Sequence, residues 1–201
     1  MCKFCLTPFI DIDLLAENAC RVISWCKMRG VPVVKGCNKP LIGDYNGFSG
    51  IMVHGDDGMG NLKLPPLKEH ERVPLQHIFI DAADFIIKTC MASPGEITLV
   101  TLGPFTNIAT ALQRESMLAS TIKAVYSMGG SFCGRGNKSP VAEANVGNDP
   151  EAAKIVFASC PVMLSIIYLA IYLAIYISIY LLHKYCQLNL DDPYLYLSSS
   201  S

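Results

Sequence analysis

The chain has 201 residues, 51% hydrophobic and only 16% charged, with 16 Lys+Arg against 17 Asp+Glu. This is too apolar for a disordered chain, and with no basic run it offers no footprint for a nucleic-acid partner. The composition is also divided: all 15 glycines lie at or before Gly147, whereas Lys184, Asp191 and Asp192 are the only charged residues after Pro161.

Residues 1 to 13 lack a basic region followed by an apolar stretch, so no secretory signal is expected there. Cys2 and Cys5 form a CxxC pair without a second pair at zinc-finger spacing, and the nine scattered cysteines read as small core residues of a reducing compartment. From Asp13 to Met28, Leu14, Leu15, Val22, Ile23 and Cys26 recur at helical spacing, which predicts an amphipathic helix with Asp13 as N-cap and Gly30 as its stop. VPVV at 31–34 predicts a short buried strand, and 43–64 reads as a long glycine-rich loop. A helix is expected over 78–91, a strand over 97–103, a short helix from Thr106 or Asn107 to about Arg114, and a strand over 122–128. Asp149-Pro150-Glu151 then sets a cap, a first-position proline and a first-turn acid in a row, a strong helix start.

Alternating apolar strands and helices predict an α/β fold with a mainly parallel sheet flanked by helices, whose ligand crevice lies at the strands' carboxyl ends. The loops at those ends carry Gly103-Pro104-Phe105-Thr106-Asn107, Met128-Gly129-Gly130, Gly136-Asn137 and Glu143-Ala144-Asn145. Asn amides and a Glu carboxylate can hold several hydroxyls of a sugar or polyol. The same residues also serve as turn and cap chemistry, and spacing alone leaves both readings open.

The segments VPVVKGCNKPL (31–41), HGDDGMGN (54–61), PGEITLVTLGPFTNIATAL (94–112), YSMGG (126–130) and GNKSPVAEANVGNDPEAAKIVF (136–157) resemble the inosine-uridine preferring nucleoside hydrolases, in order, from about Asn18 to Pro161. The resemblance implies hydrolysis of the N-glycosidic bond of ribonucleosides to base and ribose, with a bound Ca²⁺, in an enzyme that is cytoplasmic and often homo-oligomeric. It implies ribose contacts for Asn137, Glu143 and Asn145, a pocket-lining role for Met128, a place near the base for His54, and a calcium-binding carbonyl at Leu102. Asp149 reads as a helix cap, not a ligand.

Departures accompany the matches. The family's Asp-rich loop, source of calcium ligands and of the general base, has no counterpart before Cys20, so no catalytic residue is assigned. Asp11 and Asp13 abut a helix, and His183 and Asp191 lack the context of the family's later Asp-His pair. The expectation is a family member truncated at both ends, weak in calcium binding and in turnover, or else an inactive ribose-binding or membrane-tethered fragment.

The domain reading is a partial hydrolase unit at 1–161, an apolar repeat at 162–182 and a tail at 183–201. Val162 to Leu182 is 21 residues without a charge, long enough to cross a hydrocarbon core as a transmembrane helix. Tyr168, Tyr172, Tyr176 and Tyr180 recur every four residues, a pattern equally compatible with an aggregation-prone strand or with translation of a tetranucleotide repeat in a mis-assigned reading frame.

Overall fold

The computed structural model describes residues 4–6, 12–26, 30–44, 51–67, 81–131, 135–160 and 162–165. Its elements run β1 (Phe4–Leu6), α1 (Ile12–Trp25), β2 (Val33–Lys35), α2 (Ile51–His54), α3 (Ala82–Ala92), β3 (Ile97–Thr101), α4 (Thr106–Arg114), α5 (Leu118–Thr121), β4 (Ile122–Met128), α6 (Ala144–Gly147), α7 (Pro150–Ser159) and β5 (Val162–Ser165). All strand pairing is parallel, β1 with β2 in one sheet and β3-β4-β5 in the other. The α/β class expected from the alternation is therefore the class observed.

α1 buries Ala16, Cys20 and Ile23, spaced i, i+4, i+7 on one helical face, against Val31, Val33 and Leu67. The helix begins at Ile12, so Asp13 is not its N-cap but a first-turn residue, where an acid favours the helix dipole. Its carboxylate pairs with the Lys35 ammonium at the end of β2. The predicted strand at 31–34 is found two residues later, and Val31 instead joins the α1 packing.

The main core lies between the β3-β4-β5 sheet and helices α3, α4 and α7. Phe105, Leu118, Val125 and Val156 are fully buried there, each worth about 1.5–3 kcal/mol relative to exposure. Phe105 meets Phe157 with ring centroids 5.2 Å apart at a tilted 58°, a favourable edge-on geometry. Alanines at 83, 109, 111, 152 and 153 let α3, α4 and α7 approach closely. Arg114, in the last turn of α4, donates to Asp84 at 2.8 Å and to Asp81 at 2.9 Å, clamping that helix end to the start of α3.

β4 and α4 match their expected spans. α3 begins at Ala82 under an Asp81 cap whose Oδ1 accepts from Ala83 N at 2.7 Å, while 78–80 lie outside the described residues. β3 stops at Thr101, two residues short of the predicted end, where the chain turns into the Gly103-Pro104 loop. Val162–Ser165, the first four residues of the apolar repeat, pair as a strand with Val125–Met128 and do not open a helix. Residues 166–201 lie outside the described set. Among the described residues no helix is long and apolar enough to cross a membrane.

Candidate functional site

The carboxyl ends of β3 and β4 are tied together by one side chain. The Asn145 Nδ2 amide donates to the Met128 carbonyl at 2.9 Å and to the Leu102 carbonyl at a longer 3.5 Å. Asn145 is buried in α6, a single turn that exists because Glu143 caps it: Glu143 Oε1 accepts from Asn145 N at 2.8 Å and Oε2 from Val146 N at 3.1 Å. Glu143 Oε2 also accepts from Gly130 N at 2.9 Å, so one buried carboxylate holds the glycine pair after β4 against α6.

Asn137 approaches from the other side. Its Oδ1 accepts from Ala144 N at 2.8 Å, at the first residue of α6. The turn carrying it is closed by three amides, Asn137, Lys138 and Ser139, converging on the Ala142 carbonyl. Gly136 is required there, because a Cβ would overlap the Ala142 backbone. Lys138 Nζ reaches past Asn137 to the Gly147 carbonyl at 2.7 Å and Asn148 Oδ1 at 2.6 Å, fastening the turn to the far end of α6.

Five of the expected site residues, Leu102, Met128, Asn137, Glu143 and Asn145, are thus brought into one hydrogen-bonded cluster. His54 is not: it ends α2 on an exposed surface, and among the described residues no hydrogen bond joins it to the cluster. The loop after His54 is organised by Asp57, whose Oδ1 accepts from Met59 N and Asn61 N and whose Oδ2 accepts from Lys63 N at 2.9 Å. These backbone donors, Met59 first, hold the Asp57 carboxyl below the usual Asp range. Gly55, at φ +75°, could not carry a Cβ without meeting Asn61 N at 2.7 Å. The Asp57 carbonyl in turn accepts from Asn18 of α1 at 2.8 Å.

The inventory of unused hydrogen-bonding capacity defines what the cluster can bind. Among the described residues, Asn145 Oδ1 accepts no hydrogen bond, Asn137 Nδ2 donates none, and the Glu143 carboxylate, with about four acceptor sites, has spent three. Mixed donors and acceptors spaced over one turn suit neighbouring hydroxyls. A divalent cation is a different matter. Leu102 offers a neutral carbonyl, Asp13 is paired with Lys35, and among the described residues no group of three His, Cys, Asp or Glu could hold a metal. Ca²⁺ takes six to eight oxygens, several of them carboxylate, so the described residues do not fit it.

Asp149, read as a cap, is fully buried and does cap α7, accepting from Ala152 N at 3.0 Å. It also accepts from the Thr106 hydroxyl at 2.6 Å and Leu41 N at 3.0 Å. Cys20, Cys90 and Cys160 are buried thiols, and burial pushes the Cys160 and Cys37 thiols up, away from the thiolate form. The sequence alone does not single out Lys138, Asp57 or Asp81. The D-D-G-M-G run could have marked Asp57 as an Asx-turn centre, whereas nothing local marks Lys138, whose partners lie nine and ten residues on.

Parallel strands alternating with helices place the chain in the open-sheet α/β class, in which ligand crevices lie at the strands' carboxyl ends. Residues 9–187 match the family described as inosine-uridine preferring nucleoside hydrolase, and the chain belongs to that family. It is 40% identical to uridine nucleosidase 1 of Arabidopsis thaliana over 139 residues, 67% of this chain and 39% of that protein. It is 42% identical to the inosine-uridine preferring nucleoside hydrolase of Leishmania major over 148 residues, 73% of this chain and 45% of that protein. Among solved structures it resembles a plant nucleoside hydrolase at TM-score 0.72 and 31% identity, covering 81% of this chain and 51% of that one. A purine-preferring ribonucleoside hydrolase from Gardnerella vaginalis gives TM-score 0.69 at 28% identity, covering 82% and 51%. The chain therefore spans less than half the length of these two curated relatives.

Proposed function

We propose that the chain binds ribonucleosides by their ribose, through Asn137, Glu143 and Asn145 with Met128 lining the pocket and His54 toward the base, and that it hydrolyses their N-glycosidic bond only slowly. The observation that carries the reading is the cluster at the ends of β3 and β4, with acceptors left on Glu143 and Asn145 and donors left on Asn137. Family membership supplies the reaction class. Departure of the base leaves positive charge on the ribosyl centre, and the Glu143 carboxylate and Asn145 amide oxygen would stabilise that charge from the sugar's hydroxyl side. Of the ligands that the resemblance implies for Ca²⁺, the described residues offer only the Leu102 carbonyl, which alone does not hold the ion, so the proposed reaction does not run through it. Slow turnover follows from that sparse donor set and from the lack of an assigned general base. We place the hydrolase-like unit up to β5, just past Pro161; cytoplasmic residence and self-association are parts of the proposal.

The experiment is nucleoside titration and turnover with the purified 201-residue chain. Inosine or uridine should bind, Glu143→Ala should abolish binding, and hydrolysis should be slow and unchanged by chelation. Absence of any nucleoside binding sinks the ribose reading. Rapid hydrolysis that stops on chelation sinks the proposed impairment.

A further inference from the structure

Asn137 is exposed, and the two ends of its amide differ in what they are free to do. Oδ1 accepts from Ala144 N at 2.8 Å, while among the described residues Nδ2 donates to nothing, so the end left for a ligand is the donor. That bond alone would let the turn 136–142 swing about its contact with the first residue of α6. Lys138 supplies a second tie at the opposite end of the same helix, to the Gly147 carbonyl at 2.7 Å and Asn148 Oδ1 at 2.6 Å. Ties at two separated points fix an orientation that one tie leaves open.

The sequence around the second tie is fitted to it. Lys138 is half-buried, and among the described residues no carboxylate forms an ion pair with it. Its charge is spent on two neutral oxygens, in bonds stronger than those between neutral groups. The lysine stem passes over Gly147, where a Cβ would come within 3.1 Å of Lys138 Cδ and 3.3 Å of Ala142 Cβ. Gly147 does not have a positive φ, so the backbone does not call for glycine there; room for the lysine stem does.

We propose that Lys138 is a positioning residue for ribose recognition: by holding the turn 136–142 to the far end of α6, it makes Asn137 present its amide donor to one hydroxyl oxygen of the sugar. The proposal rests on the ribose reading given above. Lys138 acts through Asn137 and touches no substrate itself. Its contribution is orientation, set before the ligand arrives, and it bears on one hydroxyl and not on the nucleoside as a whole.

The test titrates inosine and its 2′-, 3′- and 5′-deoxy analogues against the full chain and against Lys138→Met, which keeps the stem and loses the ammonium. Lys138→Met should bind inosine about tenfold more weakly, the size of effect expected for losing a hydrogen bond from a charged group, and Lys138→Arg should restore most of the loss. One deoxy analogue, lacking the hydroxyl that Asn137 serves, should bind the wild-type chain and Lys138→Met alike, whereas a merely structural lysine would weaken every nucleoside equally. Gly147→Ala, which crowds the lysine stem and leaves its charge in place, should reproduce the pattern and guards against a folding defect in the first variant. Without ligand, amide exchange in Lys138→Met should quicken at Ala144, whose N–H goes to Asn137, and stay slow at Asn145 and Val146, whose N–H groups go to Glu143. Equal inosine affinities for the wild-type chain and Lys138→Met, equal losses for every nucleoside, or unchanged exchange at Ala144 overturn the proposal and leave the ribose reading standing. If the wild-type chain binds no inosine, the ribose reading fails and takes the proposal with it.

Discussion

Asp57 shows how one half-buried side chain can fix a loop that hydrophobic burial cannot. Its two oxygens collect three backbone donors within six residues, and Asn61 and Lys63 sit at φ 62° and 49° to make those donors converge. Left-handed backbone at non-glycine residues costs free energy, and the charged acceptor offsets that cost. The pKa in the folded loop is lowered, so the stabilisation is complete above the unfolded value of about 3.9 and is lost as pH falls through the folded value beneath it. Amide chemical shifts of Met59, Asn61 and Lys63, followed from about pH 6 to about pH 2, should move together with one midpoint below the ordinary Asp range. In Asp57→Asn the shared titration should vanish. Separate midpoints would mean that the donors do not answer to one carboxylate.

At the scale of elements, the turn 136–142 and α6 form one device: Asn137 caps α6 from outside, Glu143 from within, and Lys138 holds the far end. Gly136→Ala forces a side chain into the Ala142 backbone, and such overpacking costs about 1–3 kcal/mol. It should loosen Asn137 and α6 together, seen as faster amide exchange at Ala144 and weaker nucleoside binding, while exchange in β4 stays slow. Uniform acceleration across β4 would mean that the turn and the sheet are not separate units. These elements also show what a sequence can display. β4 and α4 are legible because their apolar positions each follow one period, and α7 because its cap, Asp149, is local. α6 is not legible, since four residues carry no period; Glu143 and Asn145 stand out as loop residues suited to hydroxyls and the resemblance adds their ribose roles, but the sequence does not display their mutual bonds. Asp13 misled because an acid serves both as a cap and as a first-turn residue, and only the start of the helix at Ile12 separates the two. Asp81 was hidden by an apolar run at 78–80 that extended the expected helix past its true cap.

In the whole molecule, one buried carboxylate links the two halves of the described structure. Asp149 joins the segment after β2, through Leu41 N, to the start of α4, through Thr106, and to α7, which it caps. Nearby, the Asn107 side-chain oxygen accepts from Cys37 N at 2.8 Å, so the same segment is held twice. Asp149→Ala removes a cap and leaves buried donors unpaired, which should lower the stability of the chain by about 2–4 kcal/mol in urea unfolding. Asp149→Asn, keeping an acceptor, should lose less. Equal losses would show that charge, and not hydrogen bonding, makes the junction.

The Leu41 to Asp149 bond spans 108 residues. A ribosome adding about 5–20 residues per second exposes the segment after β2 for roughly 5–20 s before its anchor has been made. Throughout that interval Leu41 and the exposed Ile42 beside it have no α7 to pack against. The protein's most vulnerable moment therefore falls during its synthesis, and chaperone demand should concentrate on the nascent α1–β2 region.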